Sequence, residues 1–137
     1  MENDTGSMPP APGGVGLLII DMINGFAFEG GEDLRPKVRT LAEKILRLRQ
    51  AADRAGAPVI YVNDNYGYWR ESQEQIVQTC AKASEEAAAA IELLSPRPQD
   101  FFVIKPQVSG FYSTSLPVLL PKLYINRVVL TGVAADI

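Results

Sequence analysis

Two ionisable residues stand where buried strands would end. Asp21 closes the apolar run VGLLII (residues 15–20), and Lys105 closes FFVI (residues 101–104). A carboxylate and an ammonium at one sheet edge could form an ion pair, relay a proton and favour a nearby thiolate. A third stretch, RVVLTGVAADI (residues 127–137), reads as a strand over Arg127–Leu130 buried on both faces, then a break at Thr131-Gly132 and a turn that starts a helix. Such a corner presents backbone N–H groups and the positive end of a helix dipole, which suits a developing oxyanion or an activated nucleophile. Each feature also has a plainer reading. Asp21 alone could cap a turn, and Lys105 could be a strand-end lysine whose ammonium reaches solvent.

These features lack a nucleophile. The 137 residues contain no histidine, which removes Ser-His and Cys-His pairs and the commonest zinc ligand. Cys80 is the one cysteine and falls mid-helix in QIVQTCAKA; it reads as a packed structural residue away from the carboxyl edge. A single cysteine also excludes an internal disulfide framework and fits a reducing, cytoplasmic compartment. Ser109, Ser113 and Ser115 follow Lys105 without an evident base, leaving only a weak Ser-Lys pairing. Phe26, Phe28, Trp69, Phe111 and Tyr112 lie in three predicted loops at the same edge, an arrangement that favours a small, partly apolar pocket. Neither GxGxxG after a strand nor GxxxxGK[ST] occurs, so dinucleotide and P-loop readings have no support.

The elements that must position these groups alternate along the chain. Leu34, Val38, Leu41, Ile45, Leu48 and Ala52 recur at steps of four and three, predicting an amphipathic helix with Lys and Arg outside, ended by Gly56 and Pro58. A second strand covers Val59–Asn63. Ser72 with Gln75 matches a capping box for a second helical region, broken near Ser84 and stopped by Pro96 and Pro98. The third strand is Phe101–Lys105. A short helix capped by Thr114 or Ser115 takes Pro117 in its first turn and is expected to kink or end early at Pro121. Strands alternating with helices predict an α/β fold: a three-layer αβα, doubly wound, mostly parallel sheet. Ligands in such sheets bind beyond the carboxyl ends of the strands, where Asp21, Lys105 and residues 131–137 converge.

One domain, residues 15–137, follows a tail (residues 1–14) whose Pro, Gly and Ser content predicts disorder. The net charge of -3 gives no reason to expect nucleic acid or an anionic membrane as a partner. No run approaches the roughly 20 apolar residues of a membrane span, and the tail lacks the basic and apolar regions of a signal peptide.

Four blocks in this order, LLIIDMINGF, VIYVNDNYGYW, FFVIKPQVSGFYST and VVLTGVAADI, resemble the isochorismatase-like cysteine hydrolases, among them nicotinamidases, N-carbamoylsarcosine amidohydrolases and ureidoacrylate amidohydrolases. The resemblance runs from about Val15 to Ile137. It implies an Asp–Lys–Cys triad in which Asp21 matches the family acid and Lys105 the family lysine, with the nucleophilic cysteine expected immediately after Ile137. It further implies a cis peptide at Val133–Ala134, the Ala134 N–H as an oxyanion donor, and Asp136 as a residue holding the turn. Phe26, Trp69 and Tyr112 become candidates for the pocket wall. The chain is expected to continue past Ile137 with the closing elements of the fold. Zinc-dependent nicotinamidases carry histidines where this sequence has Asp64-Asn65-Tyr66, so the expectation is no metal and no other cofactor, with nicotinamide disfavoured. The implied activity is hydrolysis of a small amide, ureido or carbamoyl compound by a homo-oligomer, a dimer or tetramer. Vinyl-ether hydrolysis of isochorismate and an inactive binding domain are the alternatives.

Overall fold

Strand β1 (Val15–Ile20) is the axis around which the chain winds. The computed structural model describes residues 12–23, 31–64, 73–105 and 116–132, with the backbone alone for residues 12, 31–35, 64 and 105. From β1 the chain passes through α1 (Gly31–Ala55) to β2 (Val59–Asp64), then through α2 (Gln73–Ala81) and α3 (Glu85–Leu94) to β3 (Phe101–Lys105). Helix α4 (Leu116–Lys122) carries it back to β4 (Arg127–Gly132), on the other side of β1. The described sheet has the order β3-β2-β1-β4, and all its pairings are parallel.

The pleat sorts the apolar side chains into two cores. Leu17 and Ile19 of β1, with Val59 and Tyr61 of β2, pack against Val38, Ala42 and Ile45 of α1 and against α2 and α3. Leu18, Ile20, Ile60, Val62 and Val103 face the other way, onto Leu116 and Leu123. Helices therefore cover both faces, and the three-layer, doubly wound architecture expected from the alternation is present. A continuous apolar run such as VGLLII suits this position because each alternate residue has a core to enter, at roughly 1.5–3 kcal/mol per fully buried aliphatic side chain.

Helix ends follow local chemistry. Gly56, at φ 72, follows α1 in a Schellman closure: the Ala57 N–H donates to the Ala52 carbonyl at 2.8 Å and the Gly56 N–H to the Asp53 carbonyl at 3.1 Å. The break near Ser84 is real, since the Ser84 hydroxyl accepts from the Ala87 N–H at 3.0 Å and caps α3. A single helix spanning both segments would run roughly 33 Å, well beyond the ~20 Å of a six-residue strand. Ser72 lies outside the described residues, and α2 begins at the next one. Pro12–Gly14, grouped by composition with the tail, forms a short turn whose Gly14 carbonyl accepts from the Asn126 N–H at 2.8 Å.

Three details depart from the sequence reading and one refines it. Leu48 is 44% exposed, whereas Arg49, one position on, is only 9% exposed, because its guanidinium finds the Tyr61 hydroxyl and the carbonyls of Leu93 and Ser95. The early end expected at Pro121 comes one residue later: α4 stops at Lys122 and closes in a second Schellman motif, with Tyr124 at φ 58 and the Ile125 N–H donating to the Leu120 carbonyl. β4 is not buried on both faces: it is the last strand of the described sheet, with Val129 and Leu130 44% and 43% exposed. Nor does Thr131-Gly132 break it, since Gly132 still pairs with Ile20.

Candidate active site at the carboxyl edge of the sheet

The direction of winding reverses once in the described sheet. Successive strands run outward from β1 to β3, and α4 then returns to place β4 against β1 on its other side. The reversal point of an open parallel sheet leaves a crevice beyond the strands' carboxyl ends, because the flanking connections diverge to opposite faces. The carboxyl ends of β1 and β4 flank this crevice, and Asp21 is the first residue past β1.

Asp21 is 7% exposed and sits at φ 55. Its N–H donates to the Val62 carbonyl at 2.9 Å, one last bond of the ladder before the chain leaves the sheet. The left-handed conformation is one that aspartate tolerates better than bulkier residues, and it turns the chain out of the pleat. Two residues on, Ile23 is gripped by Asn63 of β2. Asn63 Nδ2 donates to the Ile23 carbonyl at 2.6 Å, and Asn63 Oδ1 accepts from the Ile23 N–H at 3.3 Å. The same carbonyl accepts from Cys80 Sγ at 3.6 Å. Cys80 is buried, as expected, but it does not lie away from the carboxyl edge; the break after α2 keeps that helix beside the Asp21 turn.

On the other side of the crevice, the Thr131 hydroxyl donates to the Leu18 carbonyl at 2.8 Å and ties β4 to β1. Gly132 follows at φ 119, and any Cβ there would collide with the Ile20 backbone. Glycine is thus what lets β4 stay in register to the end of β1, directly beside Asp21. The Lys105 backbone closes β3 in register with Asp64, two strands from β1. Neighbouring strands lie about 4.8 Å apart, so the Asp21 and Lys105 backbones are separated by roughly 10 Å. The Lys105 side chain lies outside the described residues, as do Phe26, Trp69, Tyr112 and the Val133–Ala134 peptide. Thr131 and Gly132 belong to the stretch that the sequence places at this edge, though without individual roles, and Asn63 was not singled out as a site residue. Asn63, a polar residue at the end of VIYV just before Asp64, carried the one available signal.

The opposite edge of the sheet is electrostatically different. Arg97, ahead of β3, donates through Nη1 and Nη2 to Asp53 at 2.7 and 3.0 Å and through Nε and Nη2 to Asp100 at 3.0 and 2.9 Å. Hydrogen bonding from Arg97 lowers the Asp53 carboxyl below its ordinary value, and the two carboxylates raise Arg97. Nearby, Arg49 Nη1 donates to the Tyr61 hydroxyl at 2.9 Å, and burial still pushes that phenol up to about 12. An apolar cavity of about 300 Å³ opens between α1, β1 and β4 toward the strands' amino ends, lined by Val15, Leu48, Ala52 and Val129. Its walls supply no acid, base or nucleophile.

Among the described residues, no group of three or more His, Cys, Asp or Glu side chains is placed to hold a metal ion. No described helix is long and apolar enough to cross a membrane.

The isochorismatase domain model matches residues 15–137. The chain belongs to the isochorismatase family. It is 40% identical over 121 residues to the isochorismatase family protein YaaI of Bacillus subtilis, covering 88% of this chain and 66% of YaaI. It is 29% identical to the ureidoacrylate amidohydrolase RutB of Stutzerimonas stutzeri, over 88% of this chain and 59% of that protein. The chain thus spans a little under two thirds of these relatives. The N-carbamoylsarcosine amidase of Thermoplasma acidophilum is similar in structure, with a TM-score of 0.58 at 25% identity over 86% of this chain and 66% of that one.

Proposed function

We propose that this isochorismatase-family chain is the larger part of a metal-independent cysteine hydrolase that cleaves a small amide, ureido or carbamoyl C–N bond. One observation carries the reading: the winding reversal brings the ends of β1 and β4 together beside buried Asp21, with the end of β3 two strands away. The named activities of the ureidoacrylate and N-carbamoylsarcosine relatives supply the substrate class.

In this reading Asp21 takes the proton of a cysteine that follows Ile137, and the thiolate adds to the carbonyl carbon. Lys105 stabilises the thiolate, and the two backbones are near enough for extended side chains to meet. The Ala134 N–H and the N–H of the nucleophile hold the oxyanion. The C–N bond then breaks, Asp21 returns its proton to the departing nitrogen, and a water deprotonated by Asp21 clears the thioester, regenerating the thiol. Phe26, Trp69 and Tyr112 form the apolar wall. The absence of histidine from the 137 residues is why zinc has no part in it. A cytoplasmic location is the accompanying proposal, supported by a single cysteine among the 137 residues, and a homo-oligomer is proposed from the family resemblance alone.

The test has two steps. The mass of the full-length protein, with peptide mapping past Ile137, is expected to place cysteine next. The protein is then offered ureidoacrylate, N-carbamoylsarcosine, nicotinamide and isochorismate, with turnover expected for the first two. Cleavage of isochorismate that survives replacement of the cysteine by alanine would replace this reading with vinyl-ether hydrolysis. No turnover of any compound, with a residue other than cysteine after Ile137, would leave a binding domain.

A further inference from the structure

We infer that Asn63 is a positioning residue for Asp21, acting through a two-point amide clamp on Ile23; this rests on the reading of Asp21 as the acid/base. The argument begins with backbone conformation. Asp21 leaves β1 at φ 55, a region that costs non-glycine residues of order 1–3 kcal/mol unless the surroundings hold it. The turn is anchored on its near side by the Asp21 N–H on the Val62 carbonyl. On its far side it is anchored by Asn63, whose carboxamide engages both the N–H and the carbonyl of Ile23.

Both anchors come from neighbouring residues of β2, the strand paired to β1, so the turn is referenced to the inner strands of the described sheet. Asn63 has no exposed surface, and neither does Ile23. A buried carboxamide that left its groups unsatisfied would be costly, so its donor and acceptor are not free to wander. Only a side chain offering one donor and one acceptor at this reach can hold an amide N–H and C=O together. Aspartate would accept from the Ile23 N–H but repel its carbonyl, leucine would do neither, and glutamine keeps both groups on a longer arm. Cys80 adds a weak donor to the same carbonyl, so α2 also bears on the turn.

A displacement of about 1 Å at a catalytic group lowers turnover by roughly a hundredfold. The clamp therefore acts on kcat, whereas substrate contacts made by the loops act on KM. The experiment compares full-length wild type, Asn63→Leu, Asn63→Gln and Asp21→Asn on whichever compound of the panel is hydrolysed fastest, alongside thermal unfolding. Asn63→Leu is expected to lose about a hundredfold in kcat with KM within threefold. Asn63→Gln is expected to recover at least tenfold of that loss while melting no higher than Asn63→Leu. If Asn63→Leu does not fold, Asn63→Ser, which keeps a single donor, takes its place with the same expectation.

A kcat within threefold of wild type in the leucine variant, or a loss that appears in KM alone, overturns the clamp. So does activity that follows melting temperature across wild type, Asn63→Leu and Asn63→Gln with no advantage to glutamine. Asp21→Asn separates the two proposals: full activity there defeats the acid/base reading, whereas a large loss there with none at Asn63 defeats the clamp alone.

Discussion

The two edges of the sheet are fastened by different chemistry. At the amino edge, Asp53 and Asp100 are matched by the forked guanidinium of Arg97, and Arg49 is spread over a phenol and two carbonyls. At the carboxyl edge, the turn bearing Asp21 is fastened by neutral groups: a strand carbonyl, a carboxamide and a thiol. A counter-charge locks a carboxylate in its ionised form, which suits a group whose task is to stay put. At the carboxyl edge the fastening holds the backbone of the turn in place, which suits a group proposed to take and give a proton. Mutations at the amino edge should therefore register in stability, and those at the carboxyl edge in turnover.

The largest expected effect is on the carboxyl edge. Asp21→Asn keeps size and burial but cannot move the proton, so kcat should fall by roughly 10²–10⁴ with little change in melting temperature. Steady-state kinetics with a melting curve on the same sample checks both halves. Next is Gly132→Ala, where a Cβ has no space beside the Ile20 backbone and φ is strained for any L side chain. It should cost at least ~3 kcal/mol in a urea titration, a case in which this edge also affects stability.

Arg97→Met tests the amino edge. Asp100 would be left buried without its cation, at about 3 kcal/mol, while kcat measured well below the new melting point stays within twofold. Asp53→Asn, whose carboxylate is substantially exposed, should cost under about 1 kcal/mol. If Arg97→Met changed kcat as much as Asp21→Asn does, the division between the edges would fail.

Tyr61 gives a pH signature. Its phenol is raised from 10.0 to about 12 by burial, against the opposing charge and hydrogen bond of Arg49. The folded state holds that proton more tightly than the unfolded chain, so the contribution is complete below pH 10 and is lost as pH rises toward 12. It amounts to something on the order of 2–3 kcal/mol. Tyr61→Phe should flatten that alkaline limb in denaturant titrations taken at successive pH values. The smallest effect is a null: prolonged dialysis against a chelator should leave the hydrolysis rate unchanged, and a loss restored by zinc would break the metal-free reading.

Much of this was legible in the residue order. Apolar runs of strand length, the Gly56 stop, the Ser84 break and the alternation of elements are local signals, and local hydrogen bonding and burial enforce them within a few residues. Asp21 was legible as well, as the polar residue that closes the apolar run VGLLII. Arg49 and Leu48 show where that logic ends. Helical periodicity puts Leu48 inside and the Lys and Arg residues outside, and only the position of Tyr61 and the end of α3 makes Arg49 the buried one. Likewise Thr131-Gly132 reads as a breaker, since glycine's freedom has no sign until a neighbour is known; the Ile20 backbone turns it into a requirement for continuing the strand. Asn63 is the clearest case. By itself the sequence determined which segments become strands and which acid ends the first of them. The tertiary structure alone decided that a carboxamide forty residues away would close on the turn behind that acid, because contacts between strands depend on register and winding, and no local spacing encodes either.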